Sequence, residues 1–444
     1  MKTSVTLALC VLTASLTCAQ ARPGAGPPQT GSSGEVGSGP CGNSRLFWVG
    51  SDGNDPFTDE QLKYLVSTAS TIVIAQFYAG FDVEEHHQLA WRVKALDPRV
   101  KVYAYMSATY VKPRFDWTKI RLKDDWILRD RTGEKIVCKF QASGDVGAYY
   151  ADLSKREYRA FLAGVARTWM QSAPYDGLIY DACNLLNGDV RKTFLDRVPP
   201  HPRERTPFDE LLSQSRMDEL NAGLEDLLRE TKRSIGDKLL VWNGFWRKSN
   251  APDRSLSLLP LGDIALAERW SIGHETDPYA PFHAVLTRTQ ILEDLGIVEH
   301  GLAMGKMFFL KDTIDEDWYA NASPAAVARL ARFGWAMYML AHAPGRTSYG
   351  FSPGPRFHQN FRTDPVLLDP LAFERPLGRW QELGDVLGRE FEHGAVYLNA
   401  TDSPSSVRVD RPLRLLHGEG VAAQVAAGDE VVVPALDALI FSSP

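Results

Sequence analysis

Two hydrophobic rhythms alternate along most of this chain. Short apolar runs recur between longer stretches in which apolar residues return every three or four positions. The first rhythm is that of buried strands and the second that of amphipathic helices. Their alternation predicts repeated strand–helix units around a parallel sheet. From Arg45 onward, runs at 46–49, 71–77, 100–106, 178–181, 238–243, 264–268, 302–309 and 347–351 read as eight strands. Helical periodicity covers 59–67, 84–96, 154–170, 208–234, 324–342 and 373–391. Cap residues mark several starts: Thr58, Ser154 with Glu157 at the reciprocal position, and Ser323 before Pro324. Eight units over about 350 residues fit a (β/α)8 TIM barrel with insertions. The rival, an open doubly wound sheet, usually has fewer strands and often a Gly-rich phosphate loop. No G-x-G-x-x-G or P-loop string occurs here.

The texture changes after Gly394. Runs at 395–398, 406–409, 413–417, 431–433 and 438–441 are short and separated by turns. They predict a small antiparallel β-domain over 394–444, behind a barrel domain over 43–393. Residues 22–42 are rich in Gly, Pro and Ser and read as a flexible linker. A long segment, 107–153, follows the third strand, and a Pro- and Arg-rich loop lies around 196–207. Loops of the first length are usually functional.

Composition narrows the class. The 444 residues are 44% hydrophobic and 23% charged, which is ordinary for a globular protein with a large core. A net charge of −6 leaves no basic footprint for nucleic acid. Residues 1–21 have the form of a secretory leader, with Lys2, an apolar region over 5–16 and the small-x-small site Ala19-Gln20-Ala21. A lipoprotein reading would use Cys18, but Ser15-Leu16-Thr17 before it is a poor match. No later segment approaches the ~20 apolar residues of a membrane span. The expectation is an exported, secreted or periplasmic, monomeric protein without a membrane span. Cys10 and Cys18 leave with the leader, and Cys41, Cys138 and Cys183 remain. A Cys41–Cys138 disulfide and unpaired buried thiols are both open. No cysteine spacing suggests zinc, and no metal or other cofactor is expected.

Candidate chemistry sits at strand ends. Tyr175-Asp176-Gly177-Leu178-Ile179-Tyr180-Asp181 and Asp263-Ile264-Ala265-Leu266-Ala267-Glu268 are apolar runs that stop on an acid. The C-terminal ends of barrel strands form the active-site face, so Asp181 and Glu268 can converge across its mouth. Alternation puts Asp181 on the same side as Ile179 and opposite Tyr180. Two carboxyl groups flanking a glycosidic bond are what hydrolysis of that bond requires. Asn243 ends the strand between them; its amide can bind a sugar hydroxyl, hold a carboxylate, or serve only as a turn amide. Trp48, Tyr78, Tyr105, Trp242, Trp246, Trp270 and Tyr349 crowd the same rim and offer flat faces for sugar rings. Asp52 and Asp82 are further subsite candidates. The expected partner is a polysaccharide or oligosaccharide. A non-catalytic carbohydrate-binding barrel would need the same aromatics but not both acids in one cavity.

Other strings carry less. Glu84-Glu85-His86-His87 reads as a solvated helix start, since adjacent side chains on a helix do not face one point. Gly350-Phe351-Ser352-Pro353-Gly354 matches G-x-S-x-G, but Pro353 has no N–H to offer an oxyanion. Lys306 and Lys311 flank the expected end of the seventh strand; either could contact an acidic sugar, but they read first as surface residues.

At 175–181, Asn243 and Ala267-Glu268-Arg269 the chain resembles secreted bacterial and fungal barrel glycosidases. It is most similar to the hypothetical glycosyl hydrolase family 15 barrels, and more distantly to endo-α-1,4-polygalactosaminidases and related exopolysaccharide hydrolases. The resemblance covers roughly 45–395. Phe391-Glu392-His393-Gly394-Ala395-Val396-Tyr397-Leu398-Asn399 is similar to the strand that opens a C-terminal β-domain in such proteins. The resemblance implies a retaining mechanism on α-linkages, with Asp181 as nucleophile, Glu268 as acid/base and Asn243 in substrate contact. Arg269 departs from this pattern. It is placed to pair with Glu268, which would favour the ionised carboxylate rather than a proton donor.

Overall fold

The computed structural model describes residues 46–49, 57–75, 83–111, 123–138, 148–183, 185, 211–244, 256–272, 285–314, 316–353 and 373–444. Eight parallel strands form the central sheet in simple sequential order. They are β1 (Leu46–Val49), β2 (Thr71–Ile74), β3 (Lys101–Ser107), β4 (Gly177–Asp181), β5 (Leu239–Asn243), β6 (Ile264–Ala267), β7 (Met307–Ile314) and β8 (Thr347–Pro353). The last strand returns to the first: a Cβ added at Gly350 would stand 2.5 Å from the Leu46 carbonyl oxygen. Both faces of β2 to β6 are buried, as parallel strands require. The (β/α)8-type barrel expected from the sequence is therefore the fold.

Two separate cores follow from strand alternation. Leu46, Val73, Tyr103, Tyr105, Ile179, Val241, Ile264, Leu266 and Phe309 fill the lumen. Tyr103 and Phe309 meet edge to face there, 5.2 Å between ring centres. The alternate residues, among them Leu178, Tyr180, Leu240, Trp242 and Ala265, face the surrounding helices. Gly177 leaves room for this packing, because a Cβ there would come within 2.8 Å of the Tyr103 ring.

The longer helices are α1 (Asp59–Thr68), α2 (Val83–Leu96), α3 (Arg156–Ser172), α4 (Gln214–Ile235), α5 (Arg288–Ala303) and α6 (Pro324–Ala341), and a short one spans Glu316–Asn321. Thr58 and Gln61 form a reciprocal capping box at α1, and Ser213 and Ser323 cap α4 and α6. Three expectations need correction. The α3 cap is Lys155, without a side-chain bond, because the Ser154 hydroxyl donates to Asp152 at 2.6 Å instead. The seventh strand starts at Met307, not 302, since α5 runs to Ala303 and turns at Gly305 with φ 81°. The α5 helix itself was not anticipated, although Thr287 and Gln290 spell its capping box. A 3₁₀ segment, Leu256–Leu261, separates β5 from β6.

The expected last helix over 373–391 is not a helix. Gln381–Leu383 (β9) and Val386–Phe391 (β10) form a hairpin around Gly384, whose φ is 68°. Helical spacing of apolar residues there loses to strand pairing, helped by three glycines that weaken any helix. The remaining strands are β11 (Gly394–Asn399), β12 (Ser405–Arg408), β13 (Leu413–His417), β14 (Gln424–Val425), β15 (Glu430–Val433) and β16 (Asp437–Ser442). They make a six-stranded sheet, β9-β10-β11-β16-β13-β14, and a β12-β15 pair. This antiparallel layer packs on α6, so α6 is apolar nearly all round, buried from Leu330 onward. Two arginines join them. Arg332 makes a two-point ion pair with Asp437 at 2.6 and 2.8 Å, and Arg389 donates to the Met339, Leu340 and His342 carbonyls. In the segment between β3 and α3, Tyr110–Val111, Ala148–Tyr150 and Val137–Cys138 form a small three-stranded sheet.

Candidate active site

Each acid-bracketed strand uses its two acids differently. The first acid is structural. Asp176 accepts from the Val102 N–H at 2.8 Å and pairs with Lys94 at 2.7 Å. Asp263 accepts from the Leu240 N–H at 2.8 Å and pairs with Lys232 at 2.8 Å. Both acids precede their strands and tie them to the neighbouring one. The second acid of each strand lies at the other end, on the lumen side of the alternation, where Asp181 and Glu268 come together.

Asn243 joins them. Its Nδ2 donates to Asp181 Oδ1 at 2.7 Å and to Glu268 Oε2 at 3.2 Å. Two oxygens bound to one nitrogen at those lengths are under about 6 Å apart, so the two carboxylates face one small space. From β3, the Tyr105 hydroxyl donates to Asp181 Oδ2. Burial, reinforced by the Asp181 charge, pushes the Tyr105 hydroxyl well up, so it stays a donor. From β7, Lys311 Nζ lies 3.3 Å from Glu268 Oε1. The Lys311 side chain is only 6% exposed, whereas that of Glu268 is 38% exposed. The Asn243 Oδ1 is buried and accepts no hydrogen bond among the described residues.

The backbone around the pair is fixed from behind. Ala182, just after Asp181, has φ 59°, a conformation rare for a residue with a Cβ. Thr109 holds its carbonyl at 3.1 Å, and the Cys183 N–H donates to the Asn243 carbonyl at 2.8 Å. On the far face of β7, buried Asp312 accepts from the Ser271 N–H at 2.8 Å, the Ser271 hydroxyl at 2.6 Å and the Tyr349 hydroxyl at 2.8 Å. This network fits beneath α6 only because residue 334 is glycine; a Cβ there would lie 2.3 Å from the Tyr349 oxygen.

Among the predicted site residues, Asp181, Glu268, Asn243 and Tyr105 come together. Asn243 spends its amide on the carboxylates, the second of the roles open to it. Trp242, Trp270 and Tyr349 do not join them: they are buried in the outer core, 0%, 1% and 2% exposed, and are no stacking platforms. Trp242 points outward because it lies one residue from Asn243, and alternation sends neighbours to opposite faces. Asp52, Tyr78, Asp82, Trp246, Cys41 and residues 1–42 and 196–207 lie outside the described residues, as do the side chains of Trp48 and Cys138. Cys183 is a free, buried thiol.

Two sequence readings are overturned. His86 and His87 are not solvated; they are 2% and 8% exposed and pack edge-on against Trp169. Lys311 is not a surface residue but a lumen cation, and it pairs with Glu268 in the way expected of Arg269. Its signal was present: continuing the alternation from Phe309 puts Lys311 inside. The misplaced strand end hid it.

No family model matches the chain, and no curated protein matches it. Solved structures share its fold. Amy13B of Eubacterium rectale aligns with TM-score 0.54 and 12% identity over 90% of this chain and 95% of that one. A trehalulose synthase mutant in complex with Tris aligns with TM-score 0.53 and 12% identity, over 90% and 99%. The α-amylase of Geobacillus thermoleovorans, complexed with acarbose, aligns with TM-score 0.51 and 12% identity, over 90% and 98%. At such identities the likeness is one of fold. No helix among the described residues is long and apolar enough to cross a membrane. The chain is a TIM barrel with a pair of carboxylates bridged at its mouth.

Proposed function

We propose that this protein is an exported glycoside hydrolase that cleaves O-glycosidic bonds of a polysaccharide or oligosaccharide with retention of configuration. The observation that carries the reading is the shared Asn243 amide, which holds one oxygen of each of two carboxylates from different strands under about 6 Å apart, a close approach that favours retention. Asp181 is the nucleophile. Its two hydrogen-bond donors, Tyr105 and Asn243, favour the ionised form. Glu268, whose side chain is 38% exposed, is the acid/base. In the first step Asp181 bonds to the anomeric carbon as the glycosidic C–O bond breaks and Glu268 gives its proton to the leaving oxygen. In the second, water attacks the same carbon, its proton passes to Glu268, and the Asp181 ester bond breaks. The α-amylase of like fold, complexed with acarbose, favours an α-linkage. Export rests on the leader-like residues 1–21, the domain reading on a barrel followed by the antiparallel layer.

Incubating purified wild type and Asp181→Asn with a polysaccharide panel, and reading reducing ends, tests this. Wild type should release product and the variant at least about 10³-fold less. Proton NMR of the first-formed product should show retained configuration. Equal release from both proteins removes Asp181 from catalysis, and release from neither leaves a carbohydrate-binding barrel.

A further inference from the structure

We infer that Lys311 is a positioning residue for Glu268, holding its ionised form ready for the water-attack step. The inference rests on the acid/base role of Glu268 proposed above. A buried ammonium loses its hydration, and so is retained where it has a partner. The partner here is the Glu268 carboxylate, 3.3 Å away.

The strand that carries Lys311 keeps it there. The Lys311 carbonyl accepts from the Trp270 N–H at 3.1 Å, and Asp312 grips the Ser271 N–H and hydroxyl on the opposite face. The chain that follows Glu268 is thus tied to Lys311 itself through its carbonyl and to the next residue, Asp312, through its side chain.

The charge changes through the reaction favour this role. Before the first step, ionised Asp181 disfavours a second negative charge beside it and helps Glu268 keep its proton. Once Asp181 has bonded to the anomeric carbon it is neutral, and Glu268 has given its proton to the leaving oxygen. The Lys311 cation then stabilises the Glu268 carboxylate that must take the proton of the attacking water. The titratable or charged groups near Glu268 include Lys311 on β7, Asp181 at the end of β4, with Cys183 two residues beyond it, Tyr105 on β3, and its chain neighbour Arg269. Burial keeps Tyr105 and Cys183 protonated, so neither adds charge.

The test compares wild type, Lys311→Met and Lys311→Arg on the substrate found with the panel. The first step needs protonated Glu268, so kcat/KM is lost as pH rises through its titration. A cation beside a carboxylate favours its ionised form, so Lys311→Met should move the alkaline limb to higher pH. Intact-protein mass spectrometry should find more glycosyl-enzyme in Lys311→Met at steady state, because water attack is slowed. Lys311→Arg, which keeps the charge, should leave the limb in place. An unmoved or lowered limb in folded Lys311→Met overturns the inference. If Lys311→Met does not fold by circular dichroism, Lys311→Gln takes its place with the same two outcomes. Wild type inactive on the whole panel rejects the glycosidase reading itself; active wild type with an unmoved limb rejects only the role of Lys311.

Discussion

The side-chain amide of Asn243 donates to the Asp181 carboxylate at 2.7 Å across the β4–β5 boundary. The same nitrogen reaches Glu268, so this one residue sets the spacing of the pair. Asn243→Ala should lower kcat by about 100-fold or more, the usual cost of displacing reacting groups by 1 Å or losing one aligned donor. Thermal unfolding should show the variant folded. A kcat within about threefold of wild type would mean the amide does not organise the site.

Tyr105 supplies the second donor to Asp181. A hydrogen bond to a charged group contributes about 1.5–3 kcal/mol, so Tyr105→Phe should lower kcat by about tenfold or more. The pH profile gives the sign. As the proposed nucleophile Asp181 would act ionised, so activity should fall toward acid pH. Removing a donor makes the carboxylate easier to protonate, so the acidic limb should move to higher pH. A limb that stays put would uncouple the two residues.

Trp242 separates packing from sugar binding. It is fully buried between barrel and helices, and a Cβ on Gly262 would come within 2.6 Å of its ring. Trp242→Ala should destabilise the protein by about 3–5 kcal/mol in urea unfolding. KM measured on the folded fraction should be unchanged. A large rise in KM with little loss of stability would return Trp242 to the cleft.

His342 ends α6 beneath the antiparallel layer, 2% exposed, with the Tyr338 hydroxyl 2.8 Å from its Nδ1. Burial, together with the Arg389 charge, pushes its pKa down to about 3. The folded protein therefore keeps His342 neutral where the unfolded chain takes up a proton. Below about pH 6.5 the unfolded state binds more protons, and stability should fall by about 1.4 kcal/mol per pH unit from this group as pH drops toward 3. His342→Gln should show a shallower acid loss than wild type when urea midpoints are compared at pH 7 and pH 5. Parallel losses would assign the acid sensitivity to other groups.

Much of the barrel was legible in the chain because its signals are local. Apolar runs of strand length, cap residues such as Thr58 and Ser323, and acids at the ends of β4 and β6 all act within a few residues of themselves. The errors share a cause in partners distant along the chain. At 381–391 helical spacing lost to β10–β11 pairing, and His86 and His87 are buried because Trp169, on another helix, covers them.

The sequence by itself determined the strand–helix alternation and which residues end the strands, since both depend on period and local chemistry. It also placed Asp181 and Glu268 at the mouth, because parallel strands carry their C-terminal residues to one face. Only the tertiary structure decided which groups meet there. Lys311 reaches Glu268, and Trp242 turns away, because closing the sheet gives each strand an inside and an outside, and a shift of one residue exchanges them.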